Sequence, residues 1–248
     1  MKKTGKIVQN DNLVRNIHKM TFDMGECDFS LPGQYAMIEA GGIRRPYQVC
    51  DFDSNRFTIV FPVEDEESRR LASMRPGEEA LITTGLGNGF DLDAMPGEVV
   101  LVADDLGIPE MLGLARSLLM RGTDCRLILS YPSKKDIYML ESFRNLVNEI
   151  EVLTLDGSNG REGRASDAVR HASYICAGGS LDLLRSLTDK ADAGQFSLSS
   201  TVLAESADYE DCFVETTKGR LNASDDGPVF DKNIIIWDAL EARKHKER

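Results

Sequence analysis

The stretch Glu98-Val99-Val100-Leu101-Val102-Ala103, followed directly by Asp104-Asp105-Leu106-Gly107-Ile108-Pro109, decides the fold of this chain. Its first part is a nearly continuous apolar run, which is typical of a strand that is buried on both faces of a parallel sheet. A helix is predicted over residues 109–120, because proline is favoured at the start of a helix and apolar residues follow it. A buried strand that leads through a short loop into a helix predicts one unit of an α/β sheet.

The residues after this unit continue the same alternation of strands and helices. Strands are predicted at residues 125–130, 150–155, 173–177 and 196–203, and helices at residues 138–147, 165–170 and 180–188. Regular alternation of this kind predicts a doubly wound parallel sheet with helices on both faces.

The residues before it have a different pattern. Short segments that are rich in β-formers or alternate in polarity predict strands at residues 5–8, 14–22, 34–40, 57–63 and 79–84, with one short helix at 67–74. Many short strands with Gly/Pro turns predict an antiparallel β-barrel. The turn Met95-Pro96-Gly97 marks the expected boundary. The predicted division is therefore a barrel at 1–96, an α/β domain at 97–203 and a C-terminal segment at 204–248.

Composition excludes several classes of function. The 248 residues carry 41 acidic and 29 basic side chains, a net charge of −12, which disfavours binding to nucleic-acid phosphates. No apolar run is long enough to span a membrane, and the basic start leads into polar residues rather than into the core of a signal peptide. The five cysteines have no metal-binding spacing, and their odd, scattered set fits a reducing, cytoplasmic environment.

An acidic segment near the C-terminus indicates the family. It runs Ala204-Glu205-Ser206-Ala207-Asp208-Tyr209-Glu210-Asp211-Cys212-Phe213-Val214 and is followed by Ser224-Asp225-Asp226-Gly227-Pro228-Val229-Phe230. It resembles the iron–sulfur segment of dihydroorotate dehydrogenase electron-transfer subunits, which are ferredoxin reductase-like flavoproteins with a barrel and an α/β domain. With Cys212 on the third ligand position, the other three positions fall on Ala204, Tyr209 and Ser224. These residues offer no thiolate, so we expect no [2Fe–2S] cluster and no metal site.

A second resemblance lies in Arg44-Arg45-Pro46-Tyr47-Gln48-Val49. It is similar to the family's flavin motif, and the resemblance implies that Arg45 contacts the FAD phosphates and that Tyr47 lines the isoalloxazine ring. Pro46, which lies between the two, and Gln48 are candidate cofactor contacts as well. Gln48 stands where the family has a Ser or Thr that faces the flavin N5. A guanidinium suits a phosphate pair, and an aromatic face can cover a flavin ring.

The family's second phosphate-binding element is altered here. The resemblance aligns Glu67-Ser68 with a Gly-Thr pair whose backbone N–H groups meet the FAD pyrophosphate, so Ser68 is a candidate contact. The preceding residues Glu64-Asp65-Glu66-Glu67 would repel a pyrophosphate. Alternatively, these acids point to water and only favour the helix N-terminus. We therefore expect FAD binding to be possible but weakened.

Thr84-Gly85-Leu86-Gly87-Asn88-Gly89-Phe90 closely resembles a glycine-rich segment of the family. Glycines at this density permit positive φ and a close approach to a ligand or to another domain. The resemblance makes Gly87, Asn88, Gly89 and Phe90 candidates for cofactor binding. The alternative is a tight connection between the barrel and the sheet.

The expected nicotinamide loop also departs from the family pattern. Gly107 and Pro109 match the family's Gly-Gly-x-Gly-x-x-Pro and are candidate contacts, but Asp104 and Asp105 replace glycines. Two carboxylates at a helix N-terminus compete with a dinucleotide phosphate, which makes NAD(P) binding doubtful. A metal site at the paired aspartates is a further alternative.

The sequence leaves two main functions open. The resemblance implies an FAD-dependent electron-transfer subunit that relays electrons between NAD(P)H and a partner dehydrogenase, without a [2Fe–2S] cluster. The alternative is a non-catalytic scaffold or binding protein of the same fold that has lost its FAD, NAD and cluster sites. No residue is predicted to be catalytic, and the expected partner is a catalytic dehydrogenase subunit in a heteromeric complex.

Overall fold

A computed structural model describes residues 2–203 and 212–246. The N-terminal strands close into a barrel in the order β1-β2-β5-β4-β3-β6, and every neighbouring pair is antiparallel. The predicted antiparallel barrel is therefore confirmed. Its elements are β1 Lys2–Val14, β2 Ile17–Asp23, β3 Tyr35–Ala40, β4 Ile43–Phe52, β5 Arg56–Pro62, α1 Glu66–Ser73 and β6 Glu79–Leu86.

Aromatic and aliphatic side chains from alternate strand positions fill the barrel. Phe22 and Phe57 face each other on paired strands and stack with ring centroids 5.1 Å apart. The β3–β4 hairpin turns at Gly41 and Gly42, both with positive φ, which is the backbone that a tight two-residue hairpin requires. This hairpin positions β4, the strand that carries the flavin-like motif.

The C-terminal part is a seven-stranded sheet with the order β10-β9-β8-β7-β11-β12-β15. All neighbours are parallel except β15, which runs antiparallel to β12, so the predicted parallel α/β sheet is also confirmed. Its elements are β7 Glu98–Asp104, α2 Gly107–Arg121, β8 Asp124–Tyr131, α3 Leu140–Phe143, β9 Glu149–Thr154, β10 Arg161–Glu162, α4 Ala165–Ala168, β11 Ala172–Gly178, α5 Leu181–Leu187, β12 Ala191–Ser197, β13 Phe213–Thr216, β14 Gly219–Asn222, β15 Val229–Asp231 and α6 Trp237–Lys246.

Some predicted elements differ from the structure. The expected strand at 14–22 is interrupted by a turn in which Asn16 has φ 62°, and β4 is a full strand that the pattern of β-formers did not indicate. The helix expected at 138–147 is only α3, and the helix at 165–170 ends at Ala168. The strand expected at 196–203 begins earlier, as β12, and residues 199–203 are helical.

Helix α2 lies between the sheet and the barrel. Its first nine residues are buried, and a Cβ at Gly113 would lie only 3.0 Å from the Cys50 carbonyl oxygen of β4. The helix ends at Gly122 in the left-handed conformation, as helix C-termini commonly do. This close packing brings the start of α2 against the flavin-like strand β4.

The division into three segments at 96 and 203 stays a prediction. Strand β15, within the predicted C-terminal segment, adds to the edge of the sheet beside β12. Among the described residues, no helix is long and apolar enough to cross a lipid bilayer.

Candidate functional site

Strand β4 carries Arg45, and its guanidinium is already held by two carboxylates of the same chain. Arg45 Nη1 lies 2.7 Å from Asp65 Oδ2, and Arg45 Nε lies 2.6 Å from Glu67 Oε2. All three side chains are roughly half exposed, so these pairs add little to stability. Their effect on ligand binding is larger, because the guanidinium that is expected to bind two phosphates is already paired with two carboxylates.

The N-terminus of α1 is likewise satisfied within the chain. Asp65 is the N-cap residue, and its Oδ1 accepts a hydrogen bond of 2.7 Å from the Ser68 backbone N–H. The Ser68 hydroxyl in turn accepts from the Asp65 backbone N–H, which completes a capping box. The Ser68 backbone bond is the largest cause that lowers the pKa of Asp65 to about 2, and Arg45 adds to it. Asp65 is therefore an anion at the place where a pyrophosphate would meet the helix.

Tyr47 is two residues further along β4 and packs edge-on against Phe61, with ring centroids 5.6 Å apart. Its hydroxyl is buried and has no hydrogen-bond partner among the described residues. Burial raises the pKa of Tyr47 to about 12, so the hydroxyl stays neutral. Pro46 lies between Arg45 and Tyr47 and is paired with Met37 of β3.

Gln48 joins the barrel to helix α2. Its Nε2 donates a hydrogen bond of 2.7 Å to Oε2 of Glu110, a residue in the first turn of α2 that is fully buried. The position expected to face a flavin N5 is thus bonded to a side chain from the expected nicotinamide helix. Glu110 was not among the residues predicted from sequence.

The glycines of the nicotinamide-like loop pack against the neighbouring strand. A Cβ at Gly107 would lie 2.0 Å from the carbonyl carbon of Gly178, at the end of β11. Pro109 lies in the first turn of α2 and is buried, as its position in the loop predicts. The two backbones are therefore in direct contact at this point.

Asp104, the last residue of β7, has its carboxylate bound by Ser180, the N-cap residue of α5. It accepts bonds of 2.6 Å from the Ser180 backbone N–H and 2.7 Å from the Ser180 hydroxyl. Burial raises the pKa of Asp104, and the Ser180 bonds oppose this. No group of three or more His, Cys, Asp or Glu side chains in the described part of the chain is arranged to hold a metal ion.

The glycine-rich loop after β6 contacts the C-terminal segment. Asn88 Nδ2 donates to the carbonyl oxygens of Asp226 (3.0 Å) and Val229 (2.7 Å), and Asn88 Oδ1 accepts from the Val229 N–H at 3.1 Å. A Cβ at Gly87 would lie 2.8 Å from the Gly227 carbonyl oxygen. These contacts hold the loop against the Asp226–Phe230 motif. They fit the alternative interpretation of the loop as a tight structural connection.

The same loop also closes on the preceding turn. A Cβ at Gly89 would lie only 2.8 Å from the Pro32 carbonyl oxygen. The Phe90 N–H donates a hydrogen bond of 2.7 Å to the same oxygen. The Phe90 ring is completely buried. A role of Gly87, Asn88, Gly89 and Phe90 in cofactor binding stays a prediction.

The cluster-like segment is partly outside the described residues. Ala204 and Tyr209 belong to 204–211, so their positions are not described. Cys212 is completely buried, and the Ser224 carbonyl oxygen accepts a 3.3 Å bond from the Tyr35 hydroxyl. Ser224 therefore lies against the barrel. It contacts Tyr35, the first residue of β3, which pairs with Leu86 at the end of β6.

The donor set does not fit a dinucleotide flavin. Its diphosphate needs a free cation and free helix N–H groups, but Arg45 is matched by two carboxylates and Asp65 caps α1. Asp65 and Glu67 give the surroundings of Arg45 a negative charge, which disfavours a pyrophosphate. The part of the site expected to hold the flavin ring differs from the phosphate part. There the Tyr47 hydroxyl has no hydrogen-bond partner among the described residues and is available to a ligand.

The sequence analysis did not predict three features of this arrangement: the cap formed by Asp65, the burial of Glu110 and the contact of Asp104 with Ser180. Asp65 precedes a helix and has Ser68 three residues later, which is the spacing of a capping box. Glu110 is the one acid within the apolar run Ile108-Pro109-Glu110-Met111-Leu112, so its burial had a signal in the sequence. The partnership of Asp104 with Ser180 depends on the fold and left no local signal.

The similar proteins of known name that we compare with this chain carry the same name. A relative from Clostridium perfringens, named dihydroorotate dehydrogenase B (NAD(+)), electron transfer subunit, is 26% identical over 235 residues, covering 91% of this chain and 94% of the relative. A protein of the same name from Caldanaerobacter subterraneus subsp. tengcongensis is 30% identical over 172 residues, covering 68% and 66%. No family model matches the chain.

A solved structure shows the same fold over almost the whole molecule. It comes from work on flavin-based electron bifurcation by an NADH-dependent reduced ferredoxin-NADP oxidoreductase. The TM-score is 0.85 at 23% identity, and the alignment covers 98% of this chain and 93% of that chain. At this identity the likeness establishes the shared architecture.

Proposed function

The chain belongs to the dihydroorotate dehydrogenase electron-transfer subunit family of ferredoxin reductase-like proteins, and from this premise we propose that it acts as a scaffold or binding subunit that holds no dinucleotide flavin of its own. The names of the relatives describe subunits, so the proposal places this chain in a complex with a catalytic dehydrogenase subunit. A cytoplasmic location belongs to the same proposal, supported by the odd number and the scattered positions of the five cysteines.

The contact of Arg45 with Asp65 and Glu67 is the observation that carries the proposal. A diphosphate that bound Arg45 through Nη1 and Nε would have to displace these two carboxylates, and the acids would remain beside the ligand. Asp104 with Ser180 and Gln48 with Glu110 follow the same pattern, because these polar groups of the expected cofactor region are bonded within the chain. At three places, polar groups that were expected to contact a cofactor have hydrogen-bond or ion-pair partners within the chain. This supports a role that does not require a bound cofactor.

Titration with FAD and with ADP tests this function directly. The purified protein is mixed with each ligand, and binding is followed by calorimetry and by absorbance in the flavin region. We expect no binding by the unmodified protein. The double variant Asp65→Asn/Glu67→Gly, which frees Arg45 and keeps an N-cap side chain, is expected to bind ADP measurably, because two like charges no longer stand beside the phosphates.

The matched control is Glu66→Gln. Glu66 lies in the same helical turn but pairs with Arg70 rather than with Arg45, so its removal changes the local charge without freeing the fork. We expect it to leave ADP binding unchanged. Protein that purifies yellow with one FAD per chain would overturn the proposal.

A second function, an FAD-dependent electron-transfer subunit without a cluster, is favoured by the Tyr47 hydroxyl. A buried hydroxyl without a partner among the described residues is unusual and fits a site that a ligand completes. In this case Arg45 would leave its two carboxylates when FAD binds. The same titration decides between the two functions, because only this one predicts tight FAD binding by the unmodified protein.

Assembly is measured separately from cofactor binding. Sedimentation of a mixture with the catalytic dihydroorotate dehydrogenase subunit of the same organism is expected to show a complex that forms without added FAD. Two species that sediment independently would contradict the subunit role.

A further inference from the structure

Glu110 is a buried acid at the contact between the barrel and the sheet. It has no exposed surface and lies in the first turn of α2, surrounded by apolar residues of the same helix. Its Oε2 accepts the 2.7 Å bond from Gln48, whereas its Oε1 has no hydrogen-bond partner among the described residues. One side chain thus connects β4 of the barrel with the helix that covers the sheet.

The sheet provides the space for this carboxyl group. A Cβ at Gly178, the last residue of β11, would lie only 1.9 Å from Glu110 Oε1, so glycine is required for the acid to fit. Ser197 at the end of β12 is a further polar neighbour. The carboxyl group is therefore enclosed by β4 on one side and by the ends of two central strands on the other.

No charged group in the described part of the chain neutralises Glu110. The polar side chains that face it are Gln48 and Ser197, and neither titrates. The nearest acids on elements packed against α2 are engaged elsewhere, since Asp51 of β4 pairs with Arg116 and Asp104 of β7 is bound by Ser180. Cys176 of β11 is a buried thiol.

An unpaired carboxylate in this position is unfavourable, because a buried charge without a counter-ion loses its hydration. Burial accordingly raises the pKa of Glu110 to about 8, against the opposing influence of the neighbouring Ser197 hydroxyl and of the Gln48 hydrogen bond. In the neutral acid, the oxygen that accepts from Gln48 acts as the carbonyl, and the proton lies on the other oxygen.

We propose that Glu110 is a proton-dependent latch between the barrel and the sheet. In its neutral form it fills the space at Gly178 and holds Gln48. In its ionised form it draws water into the contact and loosens the start of α2 from β4. This inference does not depend on the proposed scaffold function, because it concerns the unliganded chain.

The direction of the pH dependence follows from the two states. In the unfolded chain Glu110 ionises near its ordinary pKa of 4.5, and in the folded chain near 8. Between these values the unfolded state has released a proton that the folded state retains, so the stability that is fully present below about pH 4.5 falls as the pH rises and is lost through about pH 8. The contribution of this one group is roughly tenfold in the unfolding equilibrium per pH unit.

Two measurements test the latch. Carbon-13 NMR of the glutamate carboxyl groups, compared between the unmodified protein and Glu110→Gln, is expected to show one carboxyl that titrates near pH 8 and disappears in the variant. Urea unfolding at several pH values is expected to show that Glu110→Gln removes the corresponding loss of stability. The control Glu141→Gln makes the same change at an exposed residue of α3 and is expected to leave the pH dependence unchanged.

Hydrogen-exchange protection factors test the location of the effect. As the pH rises through the titration, protection is expected to fall at the amides of β4 and of the first turn of α2 in the unmodified protein, and to stay constant in Glu110→Gln. A Glu110 carboxyl that titrates near its ordinary value would overturn the proposal. Protection that is unchanged at β4 and α2 while Glu110 ionises would overturn it as well.

Discussion

At the scale of single residues, Tyr47 is the clearest point at which the structure leaves a polar atom unsatisfied. A buried hydroxyl without a partner among the described residues has lost its hydrogen bonds to water and gained none in return. We expect Tyr47→Phe to leave the unliganded protein equally stable or to stabilise it by about 1 kcal/mol. Urea unfolding measures this change.

The control for this variant is Tyr131→Phe. The Tyr131 hydroxyl is also buried, but it donates a 2.8 Å bond to the Tyr138 carbonyl oxygen. Removing it leaves that bond unmade and is expected to destabilise the protein by about 1 kcal/mol. If Tyr47→Phe were the more destabilising of the two, the Tyr47 hydroxyl would have a partner in solution.

At the scale of elements, α1 depends on its N-cap more than on its ion pairs. Asp65→Ala removes the acceptor for the Ser68 N–H and is expected to destabilise the protein by about 1 kcal/mol, whereas Asp65→Asn keeps an acceptor and is expected to lose less. Urea unfolding of the two variants separates the cap from the charge. Equal losses would assign the effect to the contact with Arg45 instead.

Asp65 also makes the stability of α1 depend on pH in the acidic range. Its pKa is lowered from 3.8 to about 2 in the folded chain, so the stability from Asp65 is present above pH 3.8 and is lost as the pH falls through about 2. The Asp65→Asn variant is expected to lack this part of the acid dependence, because an amide does not titrate in this range. Urea unfolding at several acidic pH values measures the difference.

Among the elements, those with a strong local pattern were predictable from sequence. The apolar run of β7 and the periodic, proline-initiated α2 form as expected, since each is specified by its own residues. Strand β4 was not predicted, because Arg44-Arg45-Pro46 has a polar and proline-containing start, and its pairing with β3 overrides that local preference. Helix α3 is far shorter than its composition indicated.

The site was predictable only in its parts. The motif around Arg45 and the acids before α1 were both visible, but their pairing joins residues that are 20 positions apart and depends on the closure of the barrel. The contact of Gln48 with Glu110 spans 62 positions and depends on how α2 packs on β4. Long-range contacts of this kind have no local signature in a single sequence.

At the scale of the whole molecule, Asn88 holds the C-terminal segment to the barrel through three hydrogen bonds. Asn88→Ala removes them and leaves the Asp226 and Val229 backbone groups without these partners, at an expected loss of about 1 kcal/mol, because these bonds are exposed or only part-buried. We expect faster proteolysis and hydrogen exchange in β15 and in the β13–β14 hairpin. The β2 and β5 strands should exchange as before.

The control is Asn148→Ala. Asn148 also forms a side-chain hydrogen bond, to Asp124, but this bond lies at β8, and three strands separate β8 from β15 in the sheet. It is expected to leave exchange at β15 unchanged. Unaltered protection of β15 in Asn88→Ala would mean that strand pairing with β12 alone holds the segment.

The position of β15 has a consequence for protein synthesis. Until residues 229–231 have left the ribosome, the nascent chain has β12 as an open strand whose backbone groups can pair with a neighbouring chain. A transcript that stops translation before residue 229 would therefore yield a product with most of its core but an uncovered sheet edge. Such a product should accumulate as aggregates rather than as a shorter soluble protein.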